Sequence, residues 1–260
     1  MDADHHGVAE IARLLRAAGC VFAEREAAIL LSSARNVREL ERMTGERASG
    51  TPLEHVVGWA AFAGIRIPVD LGVFVPRPRT ELLVRRALRR VSRGGALVDV
   101  CTGTGVVASA IASRVPVAVA ATDVDSTATA NARRTLSGYD AVVVTCSLFD
   151  GLPTSWRGRA DIITMVAPYV PHDEIDLLPR EARDFEASVA LDGGADGLDI
   201  VRAALDGVHA WLAPGGSFLT EVAEHQAPLV VSAVEAAGLR SSVSVDNGAC
   251  VVEGTLPTLG

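Results

Sequence analysis

Apolar positions change their spacing twice along this chain. Between residues 8 and 45 they recur three and four apart: Val8, Ile11, Leu14, Leu15 and Ala18, then Ala27 to Leu31, then Val37, Leu40 and Met43. That period predicts two helices and a short third one, forming a small helical unit that must pack on something. Gly50-Thr51-Pro52 breaks the pattern. Residues 56 to 75 then read as two strands, with Gly64–Val69 alternating and Gly72–Val75 following a turn. Pro76-Arg77-Pro78 ends that segment, and Thr80 is placed to cap an arginine-rich helix. From Ala96 onward, apolar strand-like runs alternate with helical stretches. Strands are predicted at Leu97–Val100, Val117–Thr122, Ala141–Thr145, Asp161–Val166 and Ser217–Val222, and helices at 104–114, 125–136, 197–211 and 226–237. The alternation predicts an α/β fold with a doubly wound parallel sheet. Ser241–Val245 and Ala249–Glu253 flank Asp246-Asn247-Gly248, so the sheet is expected to end in an antiparallel hairpin.

Composition narrows the class. Apolar residues make up 49% of 260 and are spread throughout, which suits one sizeable domain with a small accessory one. No apolar run reaches the roughly 18 residues of a membrane span, and the acidic start Met1-Asp-Ala-Asp-His-His lacks a secretory core. Four scattered cysteines without a CxxC pair read as a reduced, cytoplasmic protein, and the six histidines show no metal-ligand spacing. The net charge of −8 argues against general nucleic-acid binding. All 24 basic residues are arginine, which reflects a GC-rich genome. Arg85, Arg86, Arg89, Arg90 and Arg93 fall at helical spacing and read as a solvated face, with a docking surface for an acidic partner as the alternative.

Candidate chemistry concentrates where the first parallel strand ends. Leu97-Val98-Asp99-Val100 runs into Cys101-Thr102-Gly103-Thr104-Gly105 and then a small-residue helix. Glycines let the backbone approach a ligand, and a helix N-terminus offers unpaired N–H groups. The spacing Gly103-x-Gly105-x-x-Ala108 also fits a dinucleotide fingerprint. Asp99 favours S-adenosylmethionine instead, because a carboxylate repels a pyrophosphate and suits an ammonium. Asp123 ends the second parallel strand about 20 residues on, where such folds place a ribose-binding acid. Asp125 competes for that role but fits better as the next N-cap. Leu148 and Phe149 follow the third strand and either flank an adenine ring or belong to the core. Val166-Ala167-Pro168-Tyr169 follows the fourth and borders the expected ligand crevice.

With these residues in place, the chain resembles the HemK/PrmC family of S-adenosylmethionine-dependent methyltransferases, which modify a glutamine side-chain amide in proteins. Four motifs carry the resemblance: Gly50-Thr-Pro-Leu-Glu-His-Val-Val-Gly58, Gly72-Val-Phe-Val-Pro-Arg-Pro-Arg-Thr-Glu81, Asp99-Val-Cys-Thr-Gly-Thr-Gly105 and Ala190-Leu-Asp-Gly-Gly-Ala-Asp-Gly-Leu-Asp199. The pattern is nearest a PrmC-related branch of unknown substrate. The resemblance implies a class I methyltransferase, Rossmann-like domain at 80–260, a helical domain at 1–50 and a β-hairpin linker at 51–79. It implies a cofactor site of Asp99, Cys101, Thr102, Gly103, Thr104, Gly105, Asp123, Leu148 and Val166. It implies an acceptor site of Phe74, Val166, Ala167, Pro168 and Tyr169, with S-adenosylhomocysteine as product and no metal.

The chain departs from that family at the acceptor site. Val166 stands where the family's NPPY motif has asparagine, so no catalytic residue is assigned. That asparagine pairs with the substrate amide in the family, and valine offers neither donor nor acceptor. Ser147 stands where an acid is expected, and Thr135 where an asparagine is usual. Three readings follow. The first is a methyltransferase of HemK/PrmC type acting on a protein, release-factor-like or unknown, with an altered acceptor site. The others are a methyltransferase of small molecules and a catalytically silent cofactor-binding regulator.

Overall fold

The computed structural model describes residues 2–258. Four helices come first: α1 (Asp2–Ala17), α2 (Ala23–Ser33), α3 (Val37–Ala48) and the short α4 (Leu53–Val57). Their apolar faces close on one another through Ile11, Leu15, Ala27, Leu30 and Met43, a core separate from the rest of the molecule. Inside it lies an ion pair, Arg47 Nε donating to Glu26 at 2.6 Å. The asparagine before α3 caps it, Asn36 Oδ1 accepting from Glu39 N at 2.9 Å.

A two-stranded hairpin follows, β1 (Trp59–Phe62) against β2 (Ile65–Pro68). The expected strand at Gly72–Val75 is corrected here. The partner of β2 precedes it, because Ala63 and Gly64 both take positive φ (47° and 81°) and make a tight two-residue hairpin turn. Residues 72–75 form no strand and make an isolated bridge from Gly72, which takes φ 83°, to Glu186.

The remainder is a seven-stranded sheet in the order β5-β4-β3-β6-β7-β9-β8. Its strands are β3 (Ala96–Val100), β4 (Ala118–Asp123), β5 (Ala141–Thr145), β6 (Ala160–Met165), β7 (Leu212–Val222), β8 (Arg240–Asp246) and β9 (Ala249–Thr255). The five from β5 to β7 are parallel, and β9 enters antiparallel between β7 and β8. Strand β3 is central and buried at all five positions, as expected of a strand covered on both faces. Helices α5 (Glu81–Ala87), α6 (Val106–Ala112) and α7 (Ser126–Thr135) lie between the earlier strands. Helices α8 (Arg180–Phe185), α9 (Asp199–Gly207) and α10 (Ala227–Ala236) lie between the later ones. Two apolar cores flank the sheet, one around Phe218, Trp211 and Met165, the other around Leu97, Ile111 and Leu83. No helix among the described residues is long and apolar enough to cross a membrane.

Two further expectations change. Thr80 does not cap α5 with its side chain; it sits in a short 3₁₀ turn, Pro78–Thr80, that feeds the helix directly. The arginine face of α5 is not simply solvated either. Arg85 reaches Asp246 at 2.5 Å, and Arg86 and Arg90 reach buried Glu253 at 3.4 and 2.5 Å. These contacts bind α5 to the terminal hairpin. Asp125 is the N-cap expected of it, accepting from Thr127 N at 2.7 Å.

Candidate active site

Between β3 and β6 the strand order reverses, because β4 and β5 extend the sheet one way and β6 and β7 the other. An open crevice forms at such a point, outside the carboxyl ends of the strands. Here it is a cavity of about 320 Å³. Loops after β3, β4, β5 and β6 all line it, and residues 72–80 and 189–190 close its other side. Of the predicted residues, Phe74, Asp99, Cys101, Thr102, Gly103, Thr104, Asp123, Leu148, Val166, Ala167, Pro168 and Tyr169 all line this one cavity. Gly105 does not. It takes φ 78° at the start of α6, and a Cβ there would come within 3.2 Å of Ala132 on α7. Its lack of a side chain serves helix packing.

Asp99 is buried in the floor. Its neighbour across the β3–β6 register is Thr164, whose hydroxyl donates to Oδ1 at 2.7 Å, while Thr102 donates to Oδ2 at 2.6 Å. Burial pushes the Asp99 carboxyl up to about 6, against the hydroxyls that favour its charged form. Asp123 organises the loop above. Its Oδ2 accepts from Gly103 N at 2.8 Å and its Oδ1 from Asp125 N at 3.0 Å. Burial again raises this carboxyl, more than those N–H donors lower it. Cys101 and Leu148 hold left-handed backbone, φ 54° and 46°, a strained state for side-chain-bearing residues that here bends both loops at the cavity. Burial pushes the Cys101 thiol up, so it is no nucleophile at neutral pH.

The other end of the cavity has few free polar groups. Val166 is half-buried and apolar, and Ala167 is buried. The Tyr169 hydroxyl accepts from Arg79, whose Nε donates to buried Glu221 at 2.8 Å. The loop of residues 191–197 clamps this segment from behind. Val170 N donates to Leu191 O at 3.1 Å, and Gly193 N donates to Val170 O at 2.9 Å. Gly197, at φ 77°, packs so closely that a Cβ would collide with the Tyr169 carbonyl. Buried Gln226 completes the clamp, its Nε2 donating to Tyr169 O at 3.0 Å and Asp196 O at 3.2 Å.

Sequence reasoning did not identify Thr164, Arg77, Arg79, Glu186, Glu221 or Gln226 as parts of this region. Two of them, Arg77 and Arg79, stand within a quoted motif. Their partners lie 90 or more residues away, and nothing in local spacing pairs them.

An open parallel sheet with acid-bearing loops around one crevice and a closing antiparallel hairpin has the fold and site of a Rossmann-like methyltransferase. Residues 72–179 match the methyltransferase small domain family. The chain is 34% identical over 192 residues to the release factor glutamine methyltransferase of Geobacter sulfurreducens, covering 73% of this chain and 66% of that one. It is 36% identical over 206 residues to the enzyme of the same name from Deinococcus radiodurans, covering 77% and 72%. A solved methyltransferase from Pyrococcus furiosus shares the fold, with a TM-score of 0.55 at 18% identity over 75% of this chain and 90% of that one. The chain belongs to the HemK/PrmC family of S-adenosylmethionine-dependent methyltransferases. These relatives favour neither the small-molecule acceptor nor the silent regulator.

Proposed function

We propose that this chain binds S-adenosylmethionine in the crevice and transfers its methyl group to a protein side-chain amide through an altered acceptor site. The observation that carries this reading is the single cavity lined by Asp99, the Cys101–Thr104 loop, Asp123 and Leu148 together with Phe74 and Val166–Tyr169. The donor set suits the cofactor. The Asp99 carboxylate takes the ammonium, Asp123 accepts from the ribose hydroxyls, and Leu148 lies against the adenine. A Cβ at Gly103 would meet nothing within 4 Å, so the loop leaves open space beside its backbone for a ligand. S-adenosylmethionine supplies a methyl already activated on a sulfonium, so the chain's part is mainly positioning and exclusion of water. Phe74, Val166, Ala167, Pro168 and Tyr169 form the acceptor end. The chain divides into a helical domain at 1–50, a hairpin linker at 51–79 and the methyltransferase domain at 80–260, acts in the cytoplasm, and takes a protein, release-factor-like or unknown, as its acceptor.

Val166 decides how well a glutamine is used. An amide acceptor needs a partner that both donates and accepts, and losing such a pair lowers rate or discrimination by roughly 10²–10⁵. Calorimetry is expected to show binding of S-adenosylmethionine or S-adenosylhomocysteine and none of NAD. Labelled methyl transfer to release factors is expected to be poor for the chain as it stands and to rise in Val166→Asn, which is close in volume. Binding of NAD alone would refute the cofactor assignment. Robust glutamine methylation by the unaltered chain would refute the argument from Val166.

A further inference from the structure

The cavity is lined in part by residues of 72–77 and by Val189 and Ala190, in two segments that belong to neither the sheet nor its helices. Residues 72–77 precede the sheet and residues 186–190 lie beyond α8, and they meet around one buried carboxylate. Glu186 has 1% of its side chain exposed. Its Oε1 accepts from Val75 N at 3.0 Å. Arg77 Nη2 donates to both of its oxygens, at 2.6 and 2.8 Å. The backbones join beside it, Ala187 N donating to Gly72 O at 3.0 Å. Arg77 in turn lies over the Phe74 ring, its guanidinium carbon 4.7 Å from the centroid. Among the described residues, every hydrogen bond that ties residues 72–77 to residues beyond α8 therefore runs through Glu186 or its neighbour Ala187. None of these groups belongs to the Asp99 and Asp123 loops. Burial raises the Glu186 carboxyl more than Arg77 lowers it, which marks a group kept dry in spite of its charge.

We infer that Glu186 is a positioning residue for the methyl acceptor: through Val75 and Arg77 it holds Phe74 in the acceptor wall, independently of the cofactor end. This inference rests on the assignment of the two ends of the cavity made above. A structural strut would affect both ends of the cavity together, whereas a positioning residue for one wall affects only ligands that reach that wall. The probes are S-adenosylmethionine and its S-butyl analogue, whose longer arm extends from the sulfonium into the acceptor end whatever the natural acceptor is. Binding of both to the full chain is measured by calorimetry, for the unaltered protein, Glu186→Gln and Arg77→Met. Exchange of the Val75 amide is followed in parallel.

The unaltered chain is expected to bind the S-butyl analogue at least five-fold more tightly than S-adenosylmethionine. In both variants that preference is expected to vanish while the S-adenosylmethionine affinity stays within two-fold, and Val75 exchange is expected to rise ten-fold or more. Arg77 is half-exposed, so Arg77→Met keeps the test open where Glu186→Gln folds poorly. A preserved arm preference in Arg77→Met with faster Val75 exchange would overturn the inference, as would equal loss of both ligands. No arm preference in the unaltered chain overturns it as well. Failure of S-adenosylmethionine itself to bind would instead refute the functional reading on which it rests.

Discussion

Asp99 shows what a single buried carboxylate contributes and what it costs. Its pKa in the folded chain lies near 6, above the ordinary aspartate value of 3.8, chiefly through burial. For an acid raised in this way, the stabilising contribution is complete below the unfolded value and is lost as pH rises through about 6. The loss is on the order of 3 kcal/mol for this group. Asp123 and Glu186 shift in the same direction. The unliganded chain is therefore expected to be more stable at pH 5.5 than at pH 7.5. Asp99→Asn should remove part of that slope and stabilise the chain at pH 7.5, while weakening S-adenosylmethionine by about 2 kcal/mol through loss of a charge-assisted bond. Urea unfolding at the two pH values and calorimetry check both halves. An Asp99→Asn chain less stable at pH 7.5 would show that the burial cost is smaller than argued. Asp99 and Asp123 were legible in the sequence because each lies at or next to the carboxyl end of an apolar strand, at a recognisable spacing from the glycine loop. Thr164, which anchors Asp99, was not, because only the β3–β6 register brings it alongside.

Elements were legible wherever the apolar period was long. Strand β5 spans Ala141–Thr145, as its valine run predicts, and β3, β4 and β6 lie within one residue of expectation at each end. The strand expected at 72–75 failed because a short apolar run after a turn does not by itself find a strand partner, and here Glu186 holds it in place of a neighbouring strand. The arginines at 85–93 were read as a solvated face, and all but Arg86 are exposed; periodicity shows which face they occupy but not that Arg85, Arg86 and Arg90 reach the terminal hairpin. Their partners make a test at this scale. Glu253 is buried and holds two arginines, whereas Asp246 and Arg85 are both half-exposed. Glu253→Gln should cost about 2 kcal/mol, less than a wholly buried pair because Arg90 keeps contact with water. Asp246→Asn should cost no more than about 1 kcal/mol. Urea midpoints measured side by side decide this, and equal losses would mean that the burial of Glu253 contributes nothing to the difference.

Across the whole molecule, stability is divided unevenly. The N-terminal helices keep a small apolar core of their own, while two larger cores share the sheet. Arg47 bridges from this unit to α8, reaching Glu181 at 2.8 Å, and His55 Nε2 lies 2.9 Å from Val73 O. A small core joined by few polar links opens at lower free energy than a sheet buried on both faces. Amides of α2 and α3 are expected to exchange through openings at least about 2 kcal/mol cheaper than those of β3, measured by native-state hydrogen exchange in low denaturant. Matching values would mean that the chain unfolds as one unit. The clamp around Gln226 links distant parts of the molecule in a different way. Its amide nitrogen faces two carbonyl oxygens, from Tyr169 and Asp196, in a site closed to water. A Gln226→Glu substitution would put an oxygen in that nitrogen's place with almost no change in size, turning two attractions into two repulsions. Exchange of this one buried atom would therefore loosen the loop that carries Val166 to Tyr169 while leaving the packing around it unaltered.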